Sequence, residues 1–454
     1  MGFIIENFSR QSLLILCFFI MGNLKCFYCI VFLFCNILKF NSQNLTTKPE
    51  ITIDLGIKSK KLESVSGFLH FNELEPLKSN ISELKPKFWR FGAKLKEHTP
   101  KRKQQVDILL KNNITPIVVL SDIYDEEHWY KEKGGWIRPS DNPKPFTALV
   151  KNLYKELGDK VVFDVWNEPN LKEVWGGTRE EYFKTFKVAH DALRSSLDGG
   201  KALITGPSIS AYDKEYLDSF LKYCYENNIK LDILNWHDLG TQTDAVKLQN
   251  HIQEARELLK KYPNLGVKKI YIPEIVGLKE QFNPLTVFAY LYFLEKSNAS
   301  GGCKACWDNP DVAGENSCWN NSMDGILNSE GNPRSSWWVY KFYADSLDKR
   351  LSSNASQKNL ISLSYLNSNN DLCLIIGNLN DAANYNLNLK IKNIINLNSF
   401  SGKSLKLYRI PDIGSDYLEK PVFVAEYMVL KKNIINVNLK DLRSKTFYYI
   451  TISK

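Results

Sequence analysis

Phe163-Asp164-Val165-Trp166-Asn167-Glu168-Pro169-Asn170 reads as a buried strand, Val161 to Val165, running into a polar, proline-stopped end. Pro169 has no N–H to give to a ladder, so the strand must stop there. A carboxylate, Glu168, therefore sits where strand meets loop. Taken alone, Asn-Glu-Pro-Asn is a polar turn. The preceding Trp166, the hydrophobic strand and a second strand-end carboxylate downstream favour a site instead.

Outward from this stretch, short apolar runs alternate with longer amphipathic ones, the rhythm of βα units around a parallel sheet. Eight strands are expected: Val65–Phe71, Phe88–Phe91, Thr115–Leu120, Val161–Trp166, Ala202–Thr205, Ile233–Trp236, Lys269–Ile272 and Gly301–Trp307. Helices are expected around Gln104–Asn112, Pro145–Leu157, Arg179–Leu197, Lys214–Asn227, Thr243–Tyr262 and Leu285–Lys296. The clearest is Arg179–Leu197, where Tyr182, Phe183, Phe186, Ala189 and Leu193 recur at 3–4 spacing and Thr178 with Glu181 forms a capping box. Eight such units in about 280 residues fit an α/β fold of the (β/α)8 TIM barrel type, here residues 64–348. The carboxyl ends of barrel strands carry the catalytic groups.

From about Leu351 the helical pattern stops. Leu360–Leu366, Leu372–Ile376, Tyr385–Ile391, Leu405–Arg409, Phe423–Leu430 and Phe447–Ile452 alternate with Asn- and Ser-rich turns. Residues 349–454 read as an antiparallel β-sandwich. Segment 42–63 holds a short strand, Glu50–Ile57, that is a candidate to pair with that sheet. Residues 1–41 carry two apolar runs, Ser12–Ile20 and Cys26–Leu38, each shorter than the ~20 residues that span a bilayer. Read from Met21, a short basic region, an apolar run and a polar Asn41–Asn44 follow the order of a secretory signal. The expectation is secretion, or residence in a secretory-pathway lumen; the alternative is an uncleaved membrane anchor. The opening Met-Gly lacks the Ser/Thr of a myristoylation signal, because Glu6 stands there.

The chain has 454 residues, and its 22 Tyr, 24 Phe and 10 Trp are enough to fill a sizeable core. The formal charge, 59 − 50 = +9, is scattered, with no arginine-rich arm and no basic run interleaved with aromatics. That argues against nucleic-acid binding and leaves an anionic glycan open. Sequons at Asn44, Asn80, Asn113, Asn298, Asn320 and Asn354 suit a secreted glycoprotein, but chance alone supplies many in so Asn-rich a chain. Cys303-x2-Cys306, with Cys318 downstream, has no fourth ligand at zinc spacing; a disulfide, Cys306–Cys318, bracing the last rim loop is the preferred reading. No phosphate loop, nucleotide motif or Ser-His-Asp order is present, and no metal or organic cofactor is expected.

The second carboxylate is Glu274, in Ile270-Tyr271-Ile272-Pro273-Glu274, at the end of the seventh strand where Glu168 ends the fourth. Two carboxylates on one barrel rim are what glycosidic cleavage needs: one protonates the leaving oxygen and the other attacks, or activates water, at the anomeric carbon. The Trp166-Asn167-Glu168-Pro169 signature with a glutamate ending strand seven resembles the clan A glycoside hydrolases. Val165 to Trp175, followed by Tyr182-Phe183, together with Phe88-Trp89-Arg90, is similar to family 39, the β-xylosidase and α-L-iduronidase family. The resemblance covers roughly residues 50–345 and a sandwich that the family also carries. It implies Glu168 as acid/base and Glu274 as nucleophile of a retaining double displacement, with the carboxyl groups about 5–5.5 Å apart. It implies Asn167 on the sugar 2-hydroxyl, Arg90 beside Glu274, and His237, after strand six, on the nucleophile or sugar. His70 ends strand one as a candidate for a sugar hydroxyl, and Trp307 ends strand eight as a candidate stacking platform. Trp129 and Trp136 are candidates for outer subsites.

Two departures put the sugar in doubt. Leu239 replaces a Tyr frequent after strand six, and Ile272-Pro273-Glu274 replaces the more frequent Thr-Glu. Asn170 leans away from the iduronidase branch, which has Asp there. The expected partner is a carbohydrate, by first choice a β-linked xyloside. The alternatives are a uronic-acid glycan and, in another class, a secreted carbohydrate-binding protein without turnover.

Overall fold

The structure is a computed structural model, described here over residues 48–57, 59–92, 99–130, 135–136, 138–196, 198–379, 384–393, 403–429 and 434–453. The signal or anchor at 1–41, the Asn44 sequon and the side chains of Trp129 and Trp136 lie outside the described residues.

Strand β1 (Glu50–Asp54) precedes the barrel. Then come β2 (Ser66–Leu69), β3 (Phe88–Phe91), β4 (Thr115–Val119), a short hairpin of β5 (Trp129–Tyr130) and β6 (Gly135–Trp136), β7 (Val162–Asp164), β8 (Leu203–Ile209), β9 (Ile233–Trp236), β10 (Lys269–Ile275) and β11 (Gly301–Lys304). Between and after them lie α1 (Lys78–Leu84), α2 (Thr99–Lys111), α3 (Leu120–His128), α4 (Pro143–Leu157), α5 (Arg179–Arg194), α6 (Lys214–Glu226), α7 (Gln242–Lys260), α8 (Pro284–Lys296) and α9 (Ser335–Ser346). Strands β2, β3, β4 and β7–β11 close into a parallel eight-stranded barrel, β10 pairing with β11 and β11 with β2 to complete the ring.

All eight expected strands form, with shifted ends. Leu120 opens helix α3 instead of closing a strand, and β11 stops at Lys304, so Trp307 belongs to the following loop. Helix α5 starts on the expected capping box: Glu181 N donates to Thr178 Oγ1 at 3.2 Å, and Thr178 N donates to Glu181 Oε2 at 2.6 Å. Its stripe of Tyr182, Phe183, Phe186, Ala189 and Leu193 is buried.

Inward-facing residues alternate along each strand with those that face the helices. One layer inside the barrel is apolar: Leu69, Phe88, Ile117, Val162, Ile233, Tyr271 and Cys303. Two residues further along three of these strands the layer turns polar, with Arg90, Asp164 and Asn235, all buried. An apolar floor under a polar ceiling at the carboxyl end is what positions the site. The floor is tight at Gly67, where a Cβ would stand 2.8 Å from both Cys303 Sγ and Phe88 O.

After the barrel come β12 (Arg350–Ala355), β13 (Leu360–Leu366), β14 (Leu372–Asn378), β15 (Tyr385–Lys392), β16 (Ser404–Ile410), β17 (Val422–Met428), β18 (Ile435–Leu442) and β19 (Phe447–Ile452). With β1 they form one sheet in the order β17-β16-β19-β14-β13-β12-β1-β15-β18. Every pairing among β12–β19 is antiparallel, as expected of residues 349–454, and β1 joins the sheet antiparallel to β12 and parallel to β15. Arg350–Leu351 of β12 pair with β13, while Ser352–Ala355 pair with β1, so β12 carries the chain from one half of the sheet to the other. Ile51, Ile53, Leu374, Leu389, Leu407, Val437 and Ile450 share one core into which no described helix residue enters. The sheet therefore covers its own apolar face, as a sandwich does. Its other face packs on the barrel's last helices: Phe342 of α9 stacks on Tyr449 at 3.9 Å, and Phe288 of α8 meets Phe447 at 5.2 Å.

Candidate active site

Glu168 sits four residues past the end of β7 in a left-handed conformation, φ 47°. For a residue with a Cβ this costs roughly 1–3 kcal/mol and persists only where the surroundings impose it. They do so here. Asn167 N donates to Ser121 Oγ at 3.0 Å, and Glu168 N to Ser208 O at 2.9 Å. Glu274 lies inside β10, next to Pro273, where the pairing with β11 slips: three residues, Pro273 to Ile275, oppose two, Cys303 and Lys304. Pro273 cannot donate to the ladder, and a bulge of this kind re-aims the side chain that follows. Both mechanisms bring a glutamate to the barrel mouth.

There the two carboxylates meet His237. Its Nδ1 lies 3.0 Å from Glu168 Oε1 and 3.6 Å from Glu274 Oε2, and the three donor atoms all fall within 4.8 Å of one another. His237 is fully buried, and its N–H donates to Ile209 O at 2.8 Å. Arg90 stands on the other side. Its Nη1 donates to Glu274 Oε1 at 2.7 Å, Nε to Asp164 Oδ2 at 3.0 Å and Nη2 to Asn167 Oδ1 at 2.9 Å. Burial opposes the Arg90 charge, but Asp164 and Glu274 outweigh it and hold the guanidinium more firmly protonated than usual. For Glu168, burial pushes the carboxyl up, yet the His237 hydrogen bond and charge, with Arg90 beyond, leave it below the ordinary glutamate value.

Asp164 continues the network downward: Ser208 Oγ donates to Asp164 Oδ1 at 2.6 Å, and Asn235 Nδ2 to Ser208 Oγ at 2.7 Å. Asp164, Ser208, Asn235 and Ser121 were not picked out from the sequence. Counting by two along β7 and β9 from Val162 and Ile233 would have found Asp164 and Asn235. Nothing local marks the two serines.

The other expected residues divide. Trp307 is half-buried and its Nε1 donates to Val276 O at 3.0 Å, two residues past Glu274. Asn170 exchanges two 2.9 Å hydrogen bonds with Ser210, tying the loop after β7 to the end of β8. His70 lies apart from the carboxylates' network. Its Nδ1 faces Asp324 Oδ1 at 3.1 Å and its ring packs edge-on against Trp89, on the face of β2 and β3 turned toward the helices. Cys306 is bonded to Cys318, as expected, and Cys303 meets Tyr271 OH at 2.7 Å inside the barrel. Burial raises the Cys303 thiol to about 12. The donor set that a divalent ion would use is Glu168, His237 and Glu274. Arg90 against Glu274 already supplies a cation there, and a second would be repelled.

Residues 147–290 match the family model for glycosyl hydrolases family 39. A β-xylosidase of Caldicellulosiruptor saccharolyticus is 26% identical over 273 residues, 52% of this chain and 54% of the relative. One from Geobacillus stearothermophilus is 28% identical over 134 residues, 28% of this chain and 26% of the relative. The chain thus spans about half or less of the curated relatives it matches. Among solved structures, N2152 from Neocallimastix frontalis superposes with a TM-score of 0.67 at 19% identity, covering 90% of this chain and all of the other. Barrel, sandwich and paired glutamates are the features expected of a clan A glycoside hydrolase, and over residues 147–290 the chain is similar to family 39.

Proposed function

We propose that the protein is a retaining glycosidase in which Glu168 is the acid/base and Glu274 the nucleophile. The carrying observation is the separation of their facing oxygens, no more than 4.8 Å. Oxygens this close favour the short carboxyl separation of retaining enzymes, about 5–5.5 Å, over the roughly 6.5–9.5 Å of inverting ones.

In the first step Glu274 attacks the anomeric carbon while Glu168 gives its proton to the leaving oxygen, and a glycosyl ester forms. In the second, Glu168 takes a proton from water, which attacks the same carbon and releases Glu274. Arg90 holds the nucleophile by a 2.7 Å hydrogen bond and so aims it. Because Asn167 Oδ1 accepts from Arg90, its amide N–H groups are left to donate to the sugar 2-hydroxyl. His237 steadies the ionised form of Glu168. A sugar seated over both carboxylates excludes water and raises Glu168 toward the protonated form that the first step needs.

The substrate we infer is a β-linked xyloside, on the strength of the β-xylosidases it is similar to. The uronic-acid alternative would need a cation free for the sugar carboxylate, and Arg90 is already held by Asp164, Glu274 and Asn167. We infer a secreted enzyme: the disulfide requires an oxidising compartment, and the sequon asparagines Asn113, Asn298 and Asn354 are exposed. Among the described residues no helix is long and apolar enough to cross a membrane.

The test is hydrolysis of a panel of aryl β- and α-glycosides by the wild type, Glu168→Gln and Glu274→Gln, with the anomer of the first product read by proton NMR. Turnover of the β-xyloside with retention, abolished in both variants, is expected. Turnover surviving in both variants, or an inverted product, would sink the assignment. Tight glycan binding by the wild type without turnover of any substrate would favour the carbohydrate-binding alternative.

A further inference from the structure

Behind His237 and Glu274 lies a second polar cluster that takes no part in the chemistry just described. Asp238 follows His237, and its side chain is 7% exposed. Its N–H donates to Glu274 O at 2.9 Å, and it forms a parallel bridge with Ile275. Two residues further on along both segments, Gly277 N donates to Gly240 O at 3.1 Å. The segment that carries His237 is thus laced by main-chain bonds to the segment that carries Glu274.

The side chain of Asp238 points the other way, into the helices, and both its oxygens are taken. Tyr290 of α8 donates its hydroxyl to Oδ1 at 2.9 Å, and His251 of α7 approaches Oδ2 with Nδ1 at 3.2 Å. The same Tyr290 hydroxyl accepts from Gly240 N at 3.0 Å, fixing the turn that Asp238 opens. His251 is itself clamped: Tyr212 stacks on its ring at 4.3 Å and 10°, and Tyr212 donates to Glu254 Oε2 at 3.0 Å.

A buried carboxylate is costly to place unless its hydrogen bonds are satisfied, and an apolar residue would hold two loops together at lower cost. What Asp238 adds is direction. Its two partners come from two different helices and fix the backbone at one point, between the imidazole and the nucleophile. We propose that Asp238, gripped by His251 and Tyr290, is a positioning residue that sets the placement of His237 and Glu274 relative to each other. This rests on the glycosidase reading for its effect on turnover, though not for its effect on geometry.

Two readouts separate these. The first is the kinetics of Asp238→Asn and Tyr290→Phe on the substrate that the panel identifies. The second is NMR of the His237 imidazole in the full chain, one of six histidines, assigned through His237→Ala. Asp238→Asn is expected to lower kcat roughly 10–100-fold, with KM changing less than about threefold, because a displacement near 1 Å suffices for such a loss. The His237 ring signals are expected to move with it. Tyr290→Phe, which removes one hydroxyl and no charge, moves the same quantities less and guards against an Asp238 variant that fails to fold. Wild-type kcat, kcat–pH profile and His237 signals in both variants, whatever their melting temperatures, would overturn the proposal and reduce the cluster to a structural one. His237 signals that shift in a protein turning over no glycoside would support the positional link and overturn the reading of function.

Discussion

Arg90 and Glu274 form an ion pair at the barrel mouth, Nη1 to Oε1 2.7 Å, with the arginine side chain 2% exposed and the carboxylate 11%. The same guanidinium holds Asp164, which is fully buried, at 3.0 Å. Two anions therefore depend on one cation that water does not reach. Arg90→Met would leave Asp164 as an uncompensated buried charge, and breaking a buried pair in this way costs about 3–5 kcal/mol. Urea unfolding is expected to show a loss of that order together with loss of turnover. Arg90→Lys keeps the charge but cannot donate to Asp164, Glu274 and Asn167 at once, since an ammonium lacks the planar fork. It should retain most of the stability and lose most of the activity. A variant that loses neither would mean that Arg90 does not orient the nucleophile.

His237 acts on the other carboxylate, and the sign of its effect on pH dependence follows from the geometry. The His237 hydrogen bond and charge are what bring Glu168 below the ordinary glutamate value against the upward push of burial. The first step uses protonated Glu168, so kcat/KM falls as pH rises through the Glu168 pKa in the free enzyme. With that pKa depressed, the fall begins on the acid side of the range. His237→Ala removes the depressing group and keeps the burial, so the alkaline limb of kcat/KM is expected to move to higher pH even as the rate at the optimum drops. A limb that stays in place, or moves to lower pH, would show that Glu168 does not set it.

The barrel was legible because its signals are repeated. Eight apolar runs at βα spacing miss their strand ends by none to four residues, yet together they leave little freedom. Glu168 and Glu274 were legible because a proline adjoins each, and a proline at a strand end makes the residue beside it stand out. His70 shows where this logic fails. Rank at a strand end does not say which face a side chain takes, and the parity from Phe68 turns His70 toward Trp89, away from the lumen. Asp164 was overlooked for the converse reason: it lies inside an apolar strand, and only the inward parity from Val162 reveals it. Strand β18 alternates buried and exposed residues from Ile435 to Lys440, but its asparagines, which strands disfavour, hid the pattern. Helix α1, seven residues long, is too short to show a period.

The floor beneath the site makes a steric prediction. At Gly67 a Cβ would meet Phe88 O, a backbone atom, and Cys303 Sγ, each at 2.8 Å. Neither is the far end of a flexible side chain, so the strands themselves must shift. Overpacking of this kind costs typically 1–3 kcal/mol. Gly67→Ala is expected to lower the melting temperature by an amount that Gly67→Ala combined with Cys303→Ala partly restores. An additive double variant would show that the sulfur is not the obstacle.

The rim loop after β11 is held twice, and the two holds separate stability from binding. The Cys306–Cys318 bond closes a loop of sequence separation 12. Within it Trp307 N donates to Ser317 Oγ at 2.8 Å, and Ser317 N donates to Trp307 O at 2.9 Å. Chain-entropy arguments assign a loop of this length about 3 kcal/mol of stabilisation through the unfolded state. Paired replacement of Cys306 and Cys318 by serine should remove roughly that much in a denaturant titration. The native hydrogen bonds of the loop survive the change, and so does the Trp307 Nε1 bond to Val276 O at 3.0 Å. Trp307 therefore stays beside the nucleophile strand, and kcat and KM measured well below the melting temperature should remain close to wild type. Trp307→Ala is the reciprocal case. It spares the disulfide and removes the ring proposed to stack on the sugar, so KM should rise while stability falls less than in the serine pair. If the serine pair instead raised KM as much as Trp307→Ala does, the disulfide itself would be what holds the tryptophan in place.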